Sequence, residues 1–222
     1  MSVLDLKSLS LRHVNSALQN AAAETSWVLE SPMGKHAVAA GLKESLKVDI
    51  KGSVGYYCGG MNKNADVVVH GSVGPGVAEN MMSGSIHVKG DASQYAGASA
   101  HGGTLVVEGN SSSRCGISMK GIDIIVRGNV GHMSAFMAQA GNLVVCGNAG
   151  EALGDSIYEA NIYVLGEVKS LGADCIEKKM TEKHMKSLAK LLAIAKIKNL
   201  SSQDFRRYGS ARNLYNFKVD NT

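Results

Sequence analysis

The sequence predicts an all-β protein folded as a right-handed parallel β-helix of about seven 19-residue coils, with flanking N- and C-terminal helices. Three observations support this fold class: 26 glycines against two prolines in 222 residues, a repeat of constant spacing, and an alternation of apolar and polar residues within each copy. Glycine destabilises regular structure through its backbone entropy, so this abundance indicates a steric requirement that recurs along the chain.

The repeat has the form apolar-x-apolar-x-glycine, and its first copy is VDIKG, at residues 48–52. All intervals between successive copies are 19 residues, without insertion or deletion across seven copies. The repeat glycines are Gly52, Gly71, Gly90, Gly109, Gly128, Gly147 and Gly166. A fixed period of this length indicates a solenoid, in which each copy is one unit stacked on the next.

The repeat marks a short strand in each copy, and 19 residues hold two or three short strands with turns. The positions four and two residues before each repeat glycine hold only Val, Ile or Leu, and this alternation is typical of a strand with one buried face. Small residues stand three and seven residues after most repeat glycines and predict tight corners. Because no crossover helix fits between copies, we expect parallel coils about 4.8 Å apart, with the right-handed connection that parallel strands favour.

The outward position three residues before each repeat glycine turns apolar in the later copies. Its members are Asp49, Val68, His87, Val106, Ile125, Val144 and Tyr163. An apolar outer face needs a cover, because an exposed apolar patch promotes association with other proteins.

Three covers are possible for this face. One is a C-terminal helix that begins after Thr181 as its N-cap, with Met185, Leu188, Leu192 and Ala195 at helical spacing. The second is an N-terminal helix, and the third is a partner protein. The apolar face of the N-terminal helix would consist of Leu11, Val14, Leu18 and Ala21.

The chain is therefore expected to have three parts. Residues 1–46 form an N-terminal helical or extended segment, residues 47–176 the parallel β-helix, and residues 177–222 a C-terminal helix followed by an aromatic and basic tail.

Composition and charge point to a cytoplasmic protein. No run approaches the roughly 18 consecutive apolar residues of a membrane span, and the start MSVLDLKSLS lacks the apolar stretch of a secretion signal. The net charge is +4, but basic and acidic residues are interspersed along the chain rather than forming blocks. We therefore expect neither a membrane nor a nucleic-acid partner.

The sequence lacks motifs for bound cofactors, metals or catalysis. GSVGPG and GNVGHM do not have the spacing of a dinucleotide-binding loop, and no C-x-x-C occurs. Cys58 and Cys115 occupy the same repeat position three coils apart, about 14 Å, which is too far for a disulfide. A small ester hydrolase that uses Ser99 and His101 is kept as an alternative, although the G-x-S-x-G motif is absent.

The C-terminal tail from Asp204 to Asn221 combines aromatic and basic residues, the usual anchors of protein interfaces. It either contacts a partner, caps the last coil, or does both. The candidate interface residues are Phe205, Arg206, Arg207, Tyr208, Arg212 and Tyr215.

The coils from VDIKGSVGYYCGG to NLVVCGNAGEALGDSIYEANIYVLGEV resemble the GXGXG domain at the C-terminal end of the large subunit of glutamate synthase. The same family includes one of the subunits of formylmethanofuran dehydrogenase. The opening LSLRHVNSAL and the ending FRRYGSARNLYNFKVDN are most similar to stand-alone members, such as the corresponding subunit of methylamine–glutamate N-methyltransferase. In this family the domain is a right-handed parallel β-helix.

The resemblance implies a role without catalytic residues in this chain. It implies a structural scaffold subunit of a glutamate-synthase-like amidotransferase and oxidoreductase complex. The implied partners are a class II glutamine amidotransferase-like subunit and a subunit that carries FMN and an iron–sulfur cluster, with no cofactor in this chain. In the formylmethanofuran dehydrogenase branch, the partners would carry molybdenum or tungsten instead. Self-association of the chain is left open.

Overall fold

An eleven-stranded sheet runs through the protein in the computed structural model, which describes residues 1–212. Two helices of the described chain, α1 (Leu11–Gln19) and α2 (Glu182–Ile194), flank it. The strands are β1 (Ser2–Asp5), β2 (Ser26–Glu30), β3 (Lys47–Ile50), β4 (Asp66–Val69), β5 (Ser85–Val88), β6 (Thr104–Val107), β7 (Lys120–Val126), β8 (Ala140–Val145), β9 (Asn161–Val164), β10 (Cys175–Lys178) and β11 (Arg206–Ser210).

Strands β3 to β9 are the seven predicted repeats, and they pair in parallel in chain order. Val48 pairs with Val67 and Val67 with Ile86, and each following strand keeps the same 19-residue offset through the pair of Leu143 and Ile162. The predicted solenoid of about seven coils is therefore confirmed, whereas its right-handed sense stays a prediction.

The interior of the solenoid is filled by aliphatic side chains. The two inward residues of each strand from β3 to β9 are at most 1% exposed. A second wall is formed two residues after each repeat glycine, where single parallel bridges connect Val54 to Val73, Val73 to Ala92, and so on to Val168. These two walls enclose a packed core.

The repeat glycines are required by close approach between coils. A Cβ at Gly128 would lie 2.5 Å from Oδ1 of Asn110 and 2.8 Å from the carbonyl oxygen of Gly109, which is closer than real Cβ atoms come to other atoms. The Asn110 side chain occupies this space because its Oδ1 accepts a hydrogen bond from the backbone N–H of Asn129, at 2.9 Å.

This hydrogen bond belongs to a polar ladder, formed by the residue that follows each repeat glycine. In each case the side-chain oxygen of one coil accepts a hydrogen bond from the backbone N–H at the same position of the next coil. Asn129 Oδ1, for example, accepts from the N–H of Asn148, at 2.7 Å. The ladder residues are Ser53, Ser72, Asp91, Asn110, Asn129, Asn148 and Glu167. Side-chain oxygens thus accept hydrogen bonds from backbone N–H groups at a corner that has no continuous strand to pair them.

The predicted small-residue corners have the same origin. Gly97 has a φ of +70°, and a Cβ there would lie 2.5 Å from Cδ1 of Ile124 on the following coil. Ala78 and Ala135 at the equivalent position are fully buried, also with positive φ. A larger side chain would therefore clash with the core.

The first coils depart from the 19-residue spacing. β1 pairs in parallel with β2 at an offset of 25 residues, and β2 with β3 at an offset of 21. The sheet therefore extends into residues 1–46. At this end Asn15 and Gln19 of α1 bind the backbone of residues 37–40 through their side-chain amides, at 2.8–3.0 Å. These bonds replace those that a preceding coil would make.

Strand direction reverses at the far end of the sheet, where β10 is the last strand. β11 lies between β9 and β10 and is antiparallel to both. The chain leaves the solenoid after β10, forms α2 on its outer face, and returns through β11 to pair with the last coil.

Candidate functional site

The outer face of the sheet is divided into a covered apolar part and an uncovered polar part. Val106, Ile125, Val144 and Tyr163 project outward from β6 to β9 and are only 0–6% exposed. They form one cluster with Leu188, Leu191 and Leu192 of α2 and with Phe205. Of the three predicted covers, the C-terminal helix is the one that lies on this face.

Local sequence explains where α2 begins and which side it buries. Thr181 is its N-cap, as predicted, and its Oγ1 accepts the backbone N–H of His184. Leu188, Leu192 and Ala195 are at most 3% exposed, whereas Met185 is only half-buried. Leu191 is also buried, and the sequence prediction omitted it.

The other predicted helix packs at the opposite end of the rod. Val14 and Leu18 of α1 are buried against the interior core rather than against the outer face. Ala21 lies beyond the end of α1, so the predicted four-residue apolar face is shorter than expected. α1 is therefore an end cap.

A charged cluster marks the border between the two parts of the outer face. Arg127 donates one hydrogen bond to the carbonyl oxygen of Ala195, at 2.8 Å, and another to Oε2 of Glu108, at 3.1 Å. Glu108 Oε1 also lies 2.8 Å from Lys89 Nζ and 2.8 Å from His87 Nε2. Arg127 thus binds the carbonyl end of α2, which attracts positive charge, to the sheet.

The pKa values in this cluster follow from its contacts. The hydrogen bond from Lys89 is the main cause that lowers the pKa of Glu108, and the charge of Arg127 lowers it further. The pKa of His87 is lowered mainly by burial and also by the charge of Lys89, although its contact with Glu108 works in the other direction. Near neutral pH the cluster therefore contains a carboxylate between two cations.

The uncovered part of the outer face is polar. Asp49 Oδ1 lies 2.6 Å from His70 Nε2 and 3.5 Å from Lys51 Nζ. All three side chains are 38–44% exposed, so this pairing contributes little to stability. A partner that lies here would meet charged groups, not an apolar patch.

Two of the predicted interface residues are buried within this chain. Phe205 is 4% exposed and packs in the cluster under α2, and Tyr208 is 2% exposed in the interior core. The part of the tail up to Arg212 thus caps the last coil, which was one of its two predicted roles, and contact with a partner stays a prediction. Tyr215 lies outside the described residues.

The three arginines of the predicted interface also bind this chain. Arg206 donates to the carbonyl oxygen of Gly166, at 2.6 Å, and Arg207 donates to Asn161 Oδ1 and to the carbonyl oxygen of Lys179, at 3.0–3.2 Å. Arg212 pairs with Asp174. Arg206 and Arg212 are exposed, so they are the members of the set that present surface at this end of the rod.

Ser99 and His101, the residues of the hydrolase alternative, lie at a corner of the solenoid. Ser99 has a φ of +53° and is half-buried, while His101 is exposed. The hydrogen bonds of residues 1–212 do not include one between the two side chains, so the geometry adds no support to a serine–histidine pair.

The four cysteines are free thiols in the part of the chain that the structure describes. Burial raises the pKa of Cys58 to about 12 and those of Cys115, Cys146 and Cys175 to about 11. A thiolate is the nucleophilic form of cysteine, so these thiols are poorly suited to nucleophilic chemistry at neutral pH. In the same residues, no three His, Cys, Asp or Glu side chains are grouped as they would be around a metal ion. Neither described helix is long and apolar enough to cross a membrane.

The glycine corners, the polar ladder and the capped solenoid define a class of repeat protein, and comparison with known families identifies it. The chain belongs to the GXGXG motif family, which matches residues 6–218. This confirms the family that the sequence resembles. A known relative is Protein GlxC of Rhizobium meliloti (strain 1021), which is 60% identical over 224 residues, covering 100% of this chain and 98% of the relative.

Proposed function

We propose that this protein is the non-catalytic scaffold subunit of a glutamate-synthase-related amidotransferase and oxidoreductase complex. It holds a class II glutamine amidotransferase-like subunit and a subunit with FMN and an iron–sulfur cluster at a fixed separation. Membership of the GXGXG motif family, together with the resemblance to the glutamate synthase domain, supports this role.

The observation that carries the proposal is the solid interior of the solenoid. Its inward side chains are aliphatic and at most 1% exposed from β3 to β9, so the coils enclose no chamber for a substrate. The rod instead offers a long, rigid outer surface. A solenoid with such a packed core is suited to fixing the distance between proteins that bind along it.

Copurification tests the proposal. A tagged chain expressed in its native host should bring down an amidotransferase-like subunit and a flavoprotein in constant ratio, with the visible absorption of flavin and iron–sulfur clusters. A protein recovered alone and colourless under gentle conditions would contradict it.

Metal analysis of the same preparation distinguishes the two branches of the family. Iron with flavin, and neither molybdenum nor tungsten, is the result expected for the glutamate-synthase-related complex. Stoichiometric molybdenum or tungsten would instead assign the chain to the formylmethanofuran dehydrogenase branch.

A further inference from the structure

Positive charge is concentrated in the C-terminal module, residues 177–212. This module contains ten Lys and Arg residues against three acidic ones, a net charge of +7, whereas the whole chain carries +4. The remaining residues therefore sum to −3. The asymmetry is not evident as a run in the sequence because apolar and small residues separate the basic ones.

The helix α2 collects part of this charge on its solvent side. Lys183, Lys186 and Lys190 are exposed and spaced three and four residues apart, which places them within about 60° around the helix axis. Leu188 and Leu192, on the opposite side of the helix, are buried. The salt bridges formed within residues 1–212 include none of these three lysines.

Three lysines in these positions weaken an isolated helix, because like charges three and four residues apart repel each other. α2 contains one acidic residue, Glu182 in its first turn, which stands four residues before Lys186, whereas no acidic residue stands three or four residues from Lys190. A helix surface whose like charges are only partly offset within the helix departs from the most stable sequence, and such departures occur at functional sites.

Apolar surface adjoins the lysines at the end of α2. Ile194 is 54% exposed and lies within about 40° of Lys183 and Lys190 around the axis. A pocket of about 260 Å³, which begins at Ala189 next to Lys190 in the sequence, opens where the chain turns after the helix. The pocket is lined by Leu192, Ala193, Ile197 and Leu200 together with Lys196 and Lys198.

We propose that this surface, made of Lys183, Lys186, Lys190, Ile194 and the adjoining pocket, docks an acidic surface of a partner protein that inserts one apolar side chain. Opposite charge steers the two surfaces together, and the buried apolar anchor holds them. A nucleic acid fits less well, because its phosphates would meet the lysines but would leave Ile194 and the apolar pocket without a counterpart.

The docking surface rests on the proposed function, since it assigns one of the two partner subunits to the α2 side of the rod. It also predicts the chemistry of that subunit, which must present Asp and Glu around an exposed apolar residue. The uncovered part of the outer face, which includes Asp49, lies outside this surface.

Lysine footprinting of the copurified complex tests the docking surface. The isolated chain and the complex are labelled with an amine-reactive ester, and modification is quantified for each lysine by mass spectrometry. Lys183, Lys186 and Lys190 should be labelled at least fivefold less in the complex, whereas the exposed lysines Lys43 and Lys63 should change less. Equal labelling of the α2 lysines in both samples would overturn the inference and leave the proposed function intact.

Charge reversal gives a second, independent measurement. The variant Lys183→Glu, Lys186→Glu, Lys190→Glu should recover at least fivefold less of one partner subunit per tagged chain. Glu and Lys have similar helix propensities, so α2 should still form, and circular dichroism checks this. The matched control Lys43→Glu, Lys63→Glu, Lys120→Glu makes the same change in net charge at exposed sites outside the module.

Each result of the charge-reversal experiment decides between the alternatives. Equal recovery by both variants and the wild type would overturn the docking surface alone. Recovery of no partner by the wild type would overturn the proposed function, and the docking surface with it. If the wild type binds a 20-base-pair DNA duplex through the α2 lysines and both variants retain the subunits, the surface is a nucleic-acid site instead.

Discussion

At the scale of single residues, the repeat glycines act by leaving room for the coil below. Gly128→Ala would place a Cβ against Asn110 Oδ1 and the Gly109 carbonyl oxygen, both closer than 3.0 Å. The expected loss is about 1–3 kcal/mol in the free energy of unfolding, as for other overpacked sites. Urea denaturation measures it.

Gly209→Ala is the matched control for this substitution. Its added Cβ would meet Lys178 Cδ at 3.4 Å, an ordinary contact, and its φ is not in the left-handed region. We expect a change of less than about 1 kcal/mol there. Similar losses in both variants would mean that close approach is not the reason for the repeat glycine.

The buried thiol of Cys58 makes stability depend on alkaline pH. Its pKa is about 12 in the folded chain against an ordinary value of 9.0, so the folded state holds the proton more tightly. This contribution to stability is complete below pH 9 and is lost as pH rises from 9 towards 12.

The measurement compares Cys58→Ala with the wild type at pH 9 and pH 10. Over that interval the wild type should lose roughly 1 kcal/mol more unfolding free energy than the variant, since the variant lacks the titrating group. Parallel pH profiles for the two proteins would show that the thiol ionises equally in the folded and unfolded chains.

At the scale of elements, α2 is held to the solenoid mainly by apolar contact. Leu188 of α2 is fully buried against the sheet, so Leu188→Ala should lower the free energy of unfolding by about 2–5 kcal/mol. The loss should first appear as faster hydrogen exchange of residues 182–195, because the helix can detach from the sheet while the coils remain stacked.

Lys190→Ala tests whether this effect depends on burial. The residue lies on the same helix but is exposed, so its replacement should change stability by less than about 0.5 kcal/mol. Equal exchange rates for α2 in both variants would contradict the role of α2 as a packed cover.

The elements differ in how far the sequence could predict them. β3 to β9 follow from the repeat, because each inward Val, Ile or Leu recurs every 19 residues. α2 follows from the Thr181 cap and its apolar spacing. β1 and β2 could not be found in this way, since offsets of 25 and 21 residues remove the periodic signal.

The pairing of β11 could not be predicted from the sequence, for a different reason. β11 pairs Arg207 with Tyr163, residues 44 positions apart, and no local pattern encodes a pairing of that separation. The Phe205 and Tyr208 side chains could therefore be recognised as anchors but not assigned to the interior. The lysine surface was hidden likewise, because helical geometry gathers residues that the sequence separates.

At the scale of the whole molecule, the two ends of the rod are closed differently. Residues after Ser201 provide β11, which pairs with both β9 and β10. A chain that ends at Ser201 would leave β9 with an open edge and β10 without a partner strand, and open edges bind other chains. Size-exclusion chromatography with light scattering should detect larger, concentration-dependent species for this truncation.

A chain that ends at Arg212 provides the control. It removes the last ten residues, compared with the last 21 in the first truncation, and keeps β11. We expect it to have the same oligomeric state in solution as the full chain. Equal self-association of both truncations would indicate that β11 is not what closes this end.

The constant 19-residue spacing divides the rod into coils of equal height, so lengths along it come in equal steps. Every coil adds about 4.8 Å, and no insertion interrupts the seven copies. The distance between two proteins bound along it can therefore change in whole coils but not in smaller steps. Because one coil contacts only its neighbours, duplicating residues 72–90 would lengthen the rod by one coil and leave α2 and both ends unchanged.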